Sequence, residues 1–393
     1  MEHASYICHM LQGFTSKLPR VGNTIFSTMS ALALEHQAIN LGQGFADYSM
    51  NHKLCDLVHK HMLADKNQYA PMPGVPELRQ AISEKLQHLY NYTCSWQQQI
   101  TITPGGTYGI YNALCTVVQP GDEVIVLEPA YDSYVPNIEL CGGVPVLVAL
   151  DTPSFAPNWT RIQNAITNRT KAIIVNTPHN PGGYCFTTED WQQLYNIVHD
   201  KNIYVISDEV YEHIVLDGKA HHSILAQPHL AAHAFAVFSF GKVYHNTGWK
   251  LGYVVANEAL STEFRKIHQY LAFACNTPVQ YALADFLADK NEYSGLPTFF
   301  EQKRNILLDG LASSKFIVHA PAQGSFFQTI DYSAISKEAD TQFCERLVCD
   351  YKIAAIPVSA FYQNAKDDKL IRLCFAKKEE TLNAAIEKLL AVK

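Results

Sequence analysis

KAIIVNTPHNPGGYCFTTEDWQQLYNIVHDKNIYVISDE, residues 171–209, opens and closes on short apolar, β-branched runs with an amphipathic segment between them. The runs 171–176 and 203–209 have strand length. Residues 188–200 place apolar side chains at helical spacing behind a helix-starting threonine. The same alternation extends on both sides, with strands expected at 123–128, 144–150, 234–240 and 251–256. Such near-continuous apolar strands, separated by helices, predict a mostly parallel sheet buried on both faces. The expected fold is therefore α/β, a mostly parallel central sheet with helices on both faces, joined by a smaller α+β domain. Past about residue 290 the pattern loosens into helix, short strands and a final helix. The predicted division is a large domain over 47–290 and a small one built from 1–46 and 291–393.

A chain of 393 residues, 48% hydrophobic and 17% charged, is long enough for two lobes and unlike a disordered or coiled-coil sequence. A net charge of -7 and the lack of any basic run argue against nucleic acid or an anionic membrane as partner. No stretch has the apolar length of a signal peptide or a bilayer span, so a cytoplasmic protein is expected. Ten scattered cysteines, without CxxC pairs or metal-ligand spacing, read as reduced thiols, and no metal site is expected.

In open α/β sheets ligands sit outside the carboxyl ends of the strands, which makes the residues there the candidates. Gly105-Gly106-Thr107 precedes a helical segment and offers free N–H groups and a hydroxyl to an anion, or simply makes a turn. Asn180 stands just past a strand, held extended by Pro181, as a turn residue or a ligand. Asp208 ends a buried strand, either salt-bridged or functional, and Tyr211 follows it. Ser239, Lys242 and Lys250 complete the set, although a lysine past a strand is often only a solvated group. Together they supply phosphate donors, a carboxylate, hydroxyl and amide donors, and an amine able to attack a carbonyl. Pyridoxal 5'-phosphate needs that collection: a helix N-terminus for its phosphate, a lysine for its aldehyde, and an acid to keep its ring nitrogen protonated.

The ordered motifs NQYAPMPGVPELRQAI (67–82), TPGGT (103–107), EPAYDSY (128–134), NTPHNPGG (176–183), ISDEVYEH (206–213), SFGKVYHNTGWKLGY (239–253) and LIRLCFAKK (370–378) resemble the class I aminotransferases of fold type I. Within that family the likeness is to the branch of methionine aminotransferases and kynurenine and glutamine transaminases. It runs from about residue 18 to the C-terminus. The resemblance implies that Lys242 forms the Schiff base and moves the proton, and that Asp208 pairs with the pyridine nitrogen. It gives Asn180 and Tyr211 to the phenolic oxygen and Tyr131 to stacking on the ring. Gly105, Gly106, Thr107, Ser239 and Lys250 would hold the phosphate, with Tyr69 reaching in from the second subunit of a homodimer. Arg372 and the Gly44 backbone would take the α-carboxylate, beside Asn180. Cis bonds before Pro129 and Pro181 are implied as well. The activity implied is ping-pong transfer of an amino group from methionine, phenylalanine or a glutamine-like amino acid to a 2-oxo acid.

The sequence departs from the family where Gly-Ala-Thr-Glu reads Gly105-Gly106-Thr107-Tyr108, and where Ala46 replaces a proline; both positions lie near the entrance. A C–S β-lyase on the same fold would use the same lysine and aspartate. From another class, Ser239 to Lys242 satisfies SxxK, but the KTG triplet of penicillin-recognising enzymes is missing. Gly42-Gln43-Gly44 begins a GxGxxG pattern that Asp47 breaks, which weakens a nucleotide reading.

Overall fold

The computed structural model describes residues 15–393; the first fourteen residues of the expected small domain lie outside the described residues. The strands, in chain order, are β1 (Ile39–Asn40), β2 (Ile100–Thr103), β3 (Glu123–Glu128), β4 (Val144–Ala149), β5 (Thr170–Asn176), β6 (Tyr204–Asp208), β7 (Ala234–Ser239), β8 (Gly252–Ala256), β9 (Phe327–Asp331), β10 (Ile353–Ala354), β11 (Ile356–Pro357) and β12 (Leu370–Cys374). The helices that matter below are α1 (Ile25–Glu35), α2 (His52–Leu63), α3 (Pro76–Tyr90), α4 (Gly106–Val117), α5 (Tyr134–Leu140), α6 (Thr188–Val198), α7 (Glu258–Leu271), α8 (Thr277–Leu287), α9 (Leu296–Leu311), α10 (Asp340–Tyr351) and α11 (Glu379–Leu390).

Seven strands form the main sheet in the order β2-β8-β7-β6-β5-β3-β4. All six residues of β3 and all five of β8 are buried, as a sheet covered on both faces requires. One face packs on α4 and α7 through Ile110, Leu114, Phe235 and Phe264. The other takes α3, α6 and α8, with Trp191 fully buried. Helix α6 starts at a capping box: the Thr187 hydroxyl accepts from the Asp190 N–H while the Asp190 carboxylate accepts from the Thr187 N–H. The helix thus begins at Thr188, the threonine chosen from the sequence, and Thr187 before it is the cap.

Strand β8 runs antiparallel to both of its neighbours, β7 and β2. The reason is the connection. Residues 240–251 hold only two short helical turns and not the full helix that usually carries a parallel return across a sheet face. The return also explains Gly252, where a Cβ would lie 2.4 Å from the Phe238 carbonyl oxygen.

A second core gathers α1, α9, α10 and α11 around the antiparallel sheet β11-β12-β9, with the short parallel pair β1-β10 at its side. Tyr211 and Ile214, from the turn after β6, reach into this core. We propose the 47–290 and 1–46 plus 291–393 division on the strength of these two cores.

Register places the functional rim. Asn176 pairs with Asp208, Asp208 with Val237, Ser239 with Gly252, and Gly252 with Thr103, so the last residues of four strands stand side by side.

Candidate functional site

A cavity of about 300 Å³ opens at this rim. At one end, Gly105 adopts φ +84, a left-handed conformation that lets α4 begin abruptly. The first N–H groups of α4 have no partner within the helix and face the cavity with Thr107. A Cβ on Gly106 would lie 2.8 Å from Val210 Cγ1, so only glycine lets the backbone form this floor. Lys250, also left-handed at φ 52, brings its ammonium within 3.7 Å of the point where a Gly105 Cβ would stand. Ser239 closes this end, which is an anion cradle of backbone N–H groups, hydroxyls and a cation.

At mid-cavity Asp208 is buried, with Oδ2 accepting from the Tyr134 hydroxyl at 2.6 Å and Oδ1 from the Val210 N–H at 3.3 Å. Burial lifts its carboxyl to about 6, against these hydrogen bonds. Asn176 braces the same turn by donating to the Asp208 carbonyl at 2.9 Å.

Lys242 lies one residue past Gly241, where a Cβ would meet Thr247 Cα at 2.9 Å, and its Nζ donates to the Gly44 carbonyl at 3.3 Å. Burial first, and the nearby Arg372 cation second, push its ammonium down to about 8. That is the direction in which an amine becomes a nucleophile and base near neutral pH.

At the other end Arg372, on β12, is 1% exposed. Its Nη1 donates to Asn180 Oδ1 at 2.8 Å and its Nη2 to the Gly42 carbonyl at 2.7 Å, with the guanidinium 3.8 Å from the Phe327 ring centre. Nε is buried without a partner, and no carboxylate of the described residues forms an ion pair with this cation. A buried guanidinium held only by neutral acceptors is poised for an anion from outside the chain.

Gly44, Tyr131, Asn180 and Tyr211 also line the cavity, so twelve of the thirteen residues singled out in the sequence converge here. Tyr69 does not; it is 83% exposed and packs edge-to-face on Phe273 at 5.2 Å. The bonds before Pro129 and Pro181 are cis, as are those before Pro153 and Pro178. Sequence reasoning missed Tyr134, Asn176 and Asp132. Asn176 ends the apolar run 171–176 and so carried a signal; Tyr134, at the start of α5, did not. It also missed the apolar wall of Phe26, Phe45 and Phe327.

Residues 36–389 match the family described as aminotransferase class I and II. The chain is 48% identical to the methionine aminotransferase of Escherichia coli, covering 95% of this chain and 97% of that protein. It is 31% identical to kynurenine–oxoglutarate transaminase 3 of Rattus norvegicus, over 94% of this chain and 88% of the other. A solved Escherichia coli structure, identified with a methionine aminotransferase function, superposes with a TM-score of 0.94 at 47% identity, covering 96% and 98% of the two chains.

Proposed function

The chain belongs to the class I and II aminotransferases, pyridoxal phosphate enzymes, and from that premise we propose that it moves the amino group of methionine or an aromatic amino acid to a 2-oxo acid. The cofactor fits the cavity: the glycine floor and N–H cradle suit a phosphate, the buried Asp208 suits a protonated ring nitrogen, and Lys242 stands between. When bound, it supplies an electron sink for the pair left by a broken Cα–H bond.

In this reading Arg372 and Asn180 grip the α-carboxylate and fix which bond of the substrate faces Lys242. Lys242 takes the Cα proton on Nζ as general base and returns it as general acid. Asp208, buried and braced by Tyr134, keeps a proton on the pyridine nitrogen. Tyr131 lies along the cavity wall beside Thr107, with the hydroxyl oxygens 3.5 Å apart. Phe26, Phe45 and Phe327 line the wall with apolar surface, and Arg372 is the one arginine among the lining residues. That lining favours an uncharged side chain over the second carboxylate of aspartate or glutamate.

The single observation that carries the reading is the buried Arg372 guanidinium without an acidic partner, across the same cavity from Lys242. Purified protein is to be mixed with methionine, phenylalanine or glutamine, first without and then with a 2-oxo acid. One stoichiometric equivalent of 2-oxo product without acceptor, and continuous turnover with it, is the expected ping-pong result. Continuous product without acceptor would instead show elimination. Borohydride trapping and peptide mapping should place the cofactor on Lys242.

We also propose a homodimer in which Tyr69 completes the partner's site. Its support is an exposed aromatic surface of Tyr69, Tyr270 and Phe273 around α7. A cytoplasmic setting is proposed too: the nine described cysteines are free, and no described helix is long and apolar enough to cross a membrane.

A further inference from the structure

Away from the catalytic cavity, two thiols stand together without being bonded. Cys115 lies in the last turn of α4 and Cys141 directly follows α5, with their Sγ atoms 3.3 Å apart. Both are free and half-buried, within reach of small solutes. A disulfide has a sulfur separation of about 2.05 Å, so closure needs little more than ångström-scale adjustment of two adjacent helix ends.

We propose that Cys115 and Cys141 form a reversible dithiol–disulfide site, closed by exchange with a low-molecular-weight disulfide, that ties the far end of α4 to the far end of α5. The pair is chemically polarised. The Cys141 S–H, and then the Tyr111 hydroxyl, stabilise a thiolate on Cys115 and pull its thiol down to about 7 against burial, while Cys141 is pushed up. Cys115 is thus the attacking sulfur. Its thiolate displaces one thiolate from the reagent disulfide and leaves a mixed disulfide on Cys115. Cys141 then loses its proton and attacks the Cys115 sulfur, expelling the second reagent thiolate. The protein gives up two electrons and two protons, and the reagent disulfide becomes two thiols. Excess thiol reverses both steps.

The location gives the bond its reach. Helix α4 starts at the phosphate cradle with Gly106 and Thr107, and α5 starts at Tyr134, the hydrogen-bond partner of Asp208. Joining their distal ends constrains how cradle and acid sit relative to each other. The site stands whichever amino acid the cavity takes.

The test uses the holoenzyme, incubated with oxidised glutathione under native conditions and then alkylated. Two thiols should disappear with no glutathione mass retained. Non-reduced peptide mapping should join the Cys115 and Cys141 peptides, and dithiothreitol should restore both thiols. Cys141→Ser should instead hold one glutathione on Cys115. The apparent unfolding midpoint at fixed scan rate should rise in the oxidised native protein but not in oxidised Cys115→Ser. Two persisting free thiols, a cross-link between other cysteines, or a mixed disulfide that never resolves would overturn the site. A proven bond with an unmoved midpoint would overturn the tether.

Discussion

Asp208 combines two opposed demands in one carboxyl group. Burial lifts it to about 6 from an ordinary 3.8 in the cofactor-free chain, so the folded state favours the neutral acid. Between about pH 4 and pH 6 the folded chain binds more protons than the unfolded one, and stability falls as pH rises through that window. Above it the penalty is complete, about 3 kcal/mol at most for roughly two pKa units. Asp208→Asn keeps an oxygen to accept from Tyr134 but removes the charge. In denaturant titrations at pH 7 the cofactor-free variant should be more stable than its parent, and at pH 4 the advantage should vanish. The holoenzyme variant should lose turnover by about a hundredfold or more, because an amide cannot hold the ring proton. Stability that is equal at both pH values would remove the basis for this view of the acid. Arg372 yields a second test at the same scale. Arg372→Lys keeps the charge but loses the fork that spans Asn180 and Gly42, and kcat/KM should drop by about a hundredfold or more. A loss under threefold would place the α-carboxylate elsewhere.

Between elements, the turn after β6 is fastened from behind by a buried network. Lys85 of α3 donates to Glu212 at 2.5 Å and to the Tyr253 hydroxyl at 2.7 Å, and Tyr90 donates to Glu212 at 2.6 Å. Both charged side chains are 3% exposed. Burial raises the Glu212 carboxyl, but Lys85, His213 and Tyr90 outweigh it and hold it at about 2. Removing the cation alone strands a buried carboxylate, so Lys85→Met should cost about 3–5 kcal/mol in urea unfolding. The pair Lys85→Met with Glu212→Gln should cost less than the single change, and a single-variant cost under about 1 kcal/mol would make the brace irrelevant. None of this was legible beforehand, because a lysine inside an amphipathic helix and a glutamate two residues past a turn look like surface groups. The strands of the main sheet were legible, since their apolar runs are set by burial on both faces; β2 was not, being four residues long and flanked by a short helix. The reversed direction of β8 goes with a connection that holds no full helix, which the periodicity of the strands themselves does not encode. Of the site, the residues at strand ends and turns could be found from position and chemistry. Tyr134 could not be separated from an ordinary core aromatic until its hydroxyl was seen on Asp208.

At the scale of the whole molecule, Tyr69 is the candidate residue that the single chain leaves outside its own cavity. It belongs to a surface where Tyr270 is 89% exposed and Phe273 39% exposed, more aromatic area than a solvated helix needs. A twofold dimer would cover that surface on both copies at once, since the same patch faces itself across the axis. Shared sites make a sharp prediction. A Tyr69→Ala chain keeps Lys242 but offers its partner no tyrosine; a Lys242→Ala chain keeps Tyr69 but has no amine. Each homodimer should be severely impaired. In a hybrid, one site takes Lys242 from the first chain and Tyr69 from the second, and is whole; the other has neither. Random pairing of equal amounts makes half the dimers hybrids, so the mixture should recover about a quarter of native turnover. Co-expression with two affinity tags, followed by isolation of the doubly tagged species, measures the hybrid directly. Activity no greater than the mean of the parents would mean that each cavity is complete within one chain, and the exposed aromatic surface would then require another occupant.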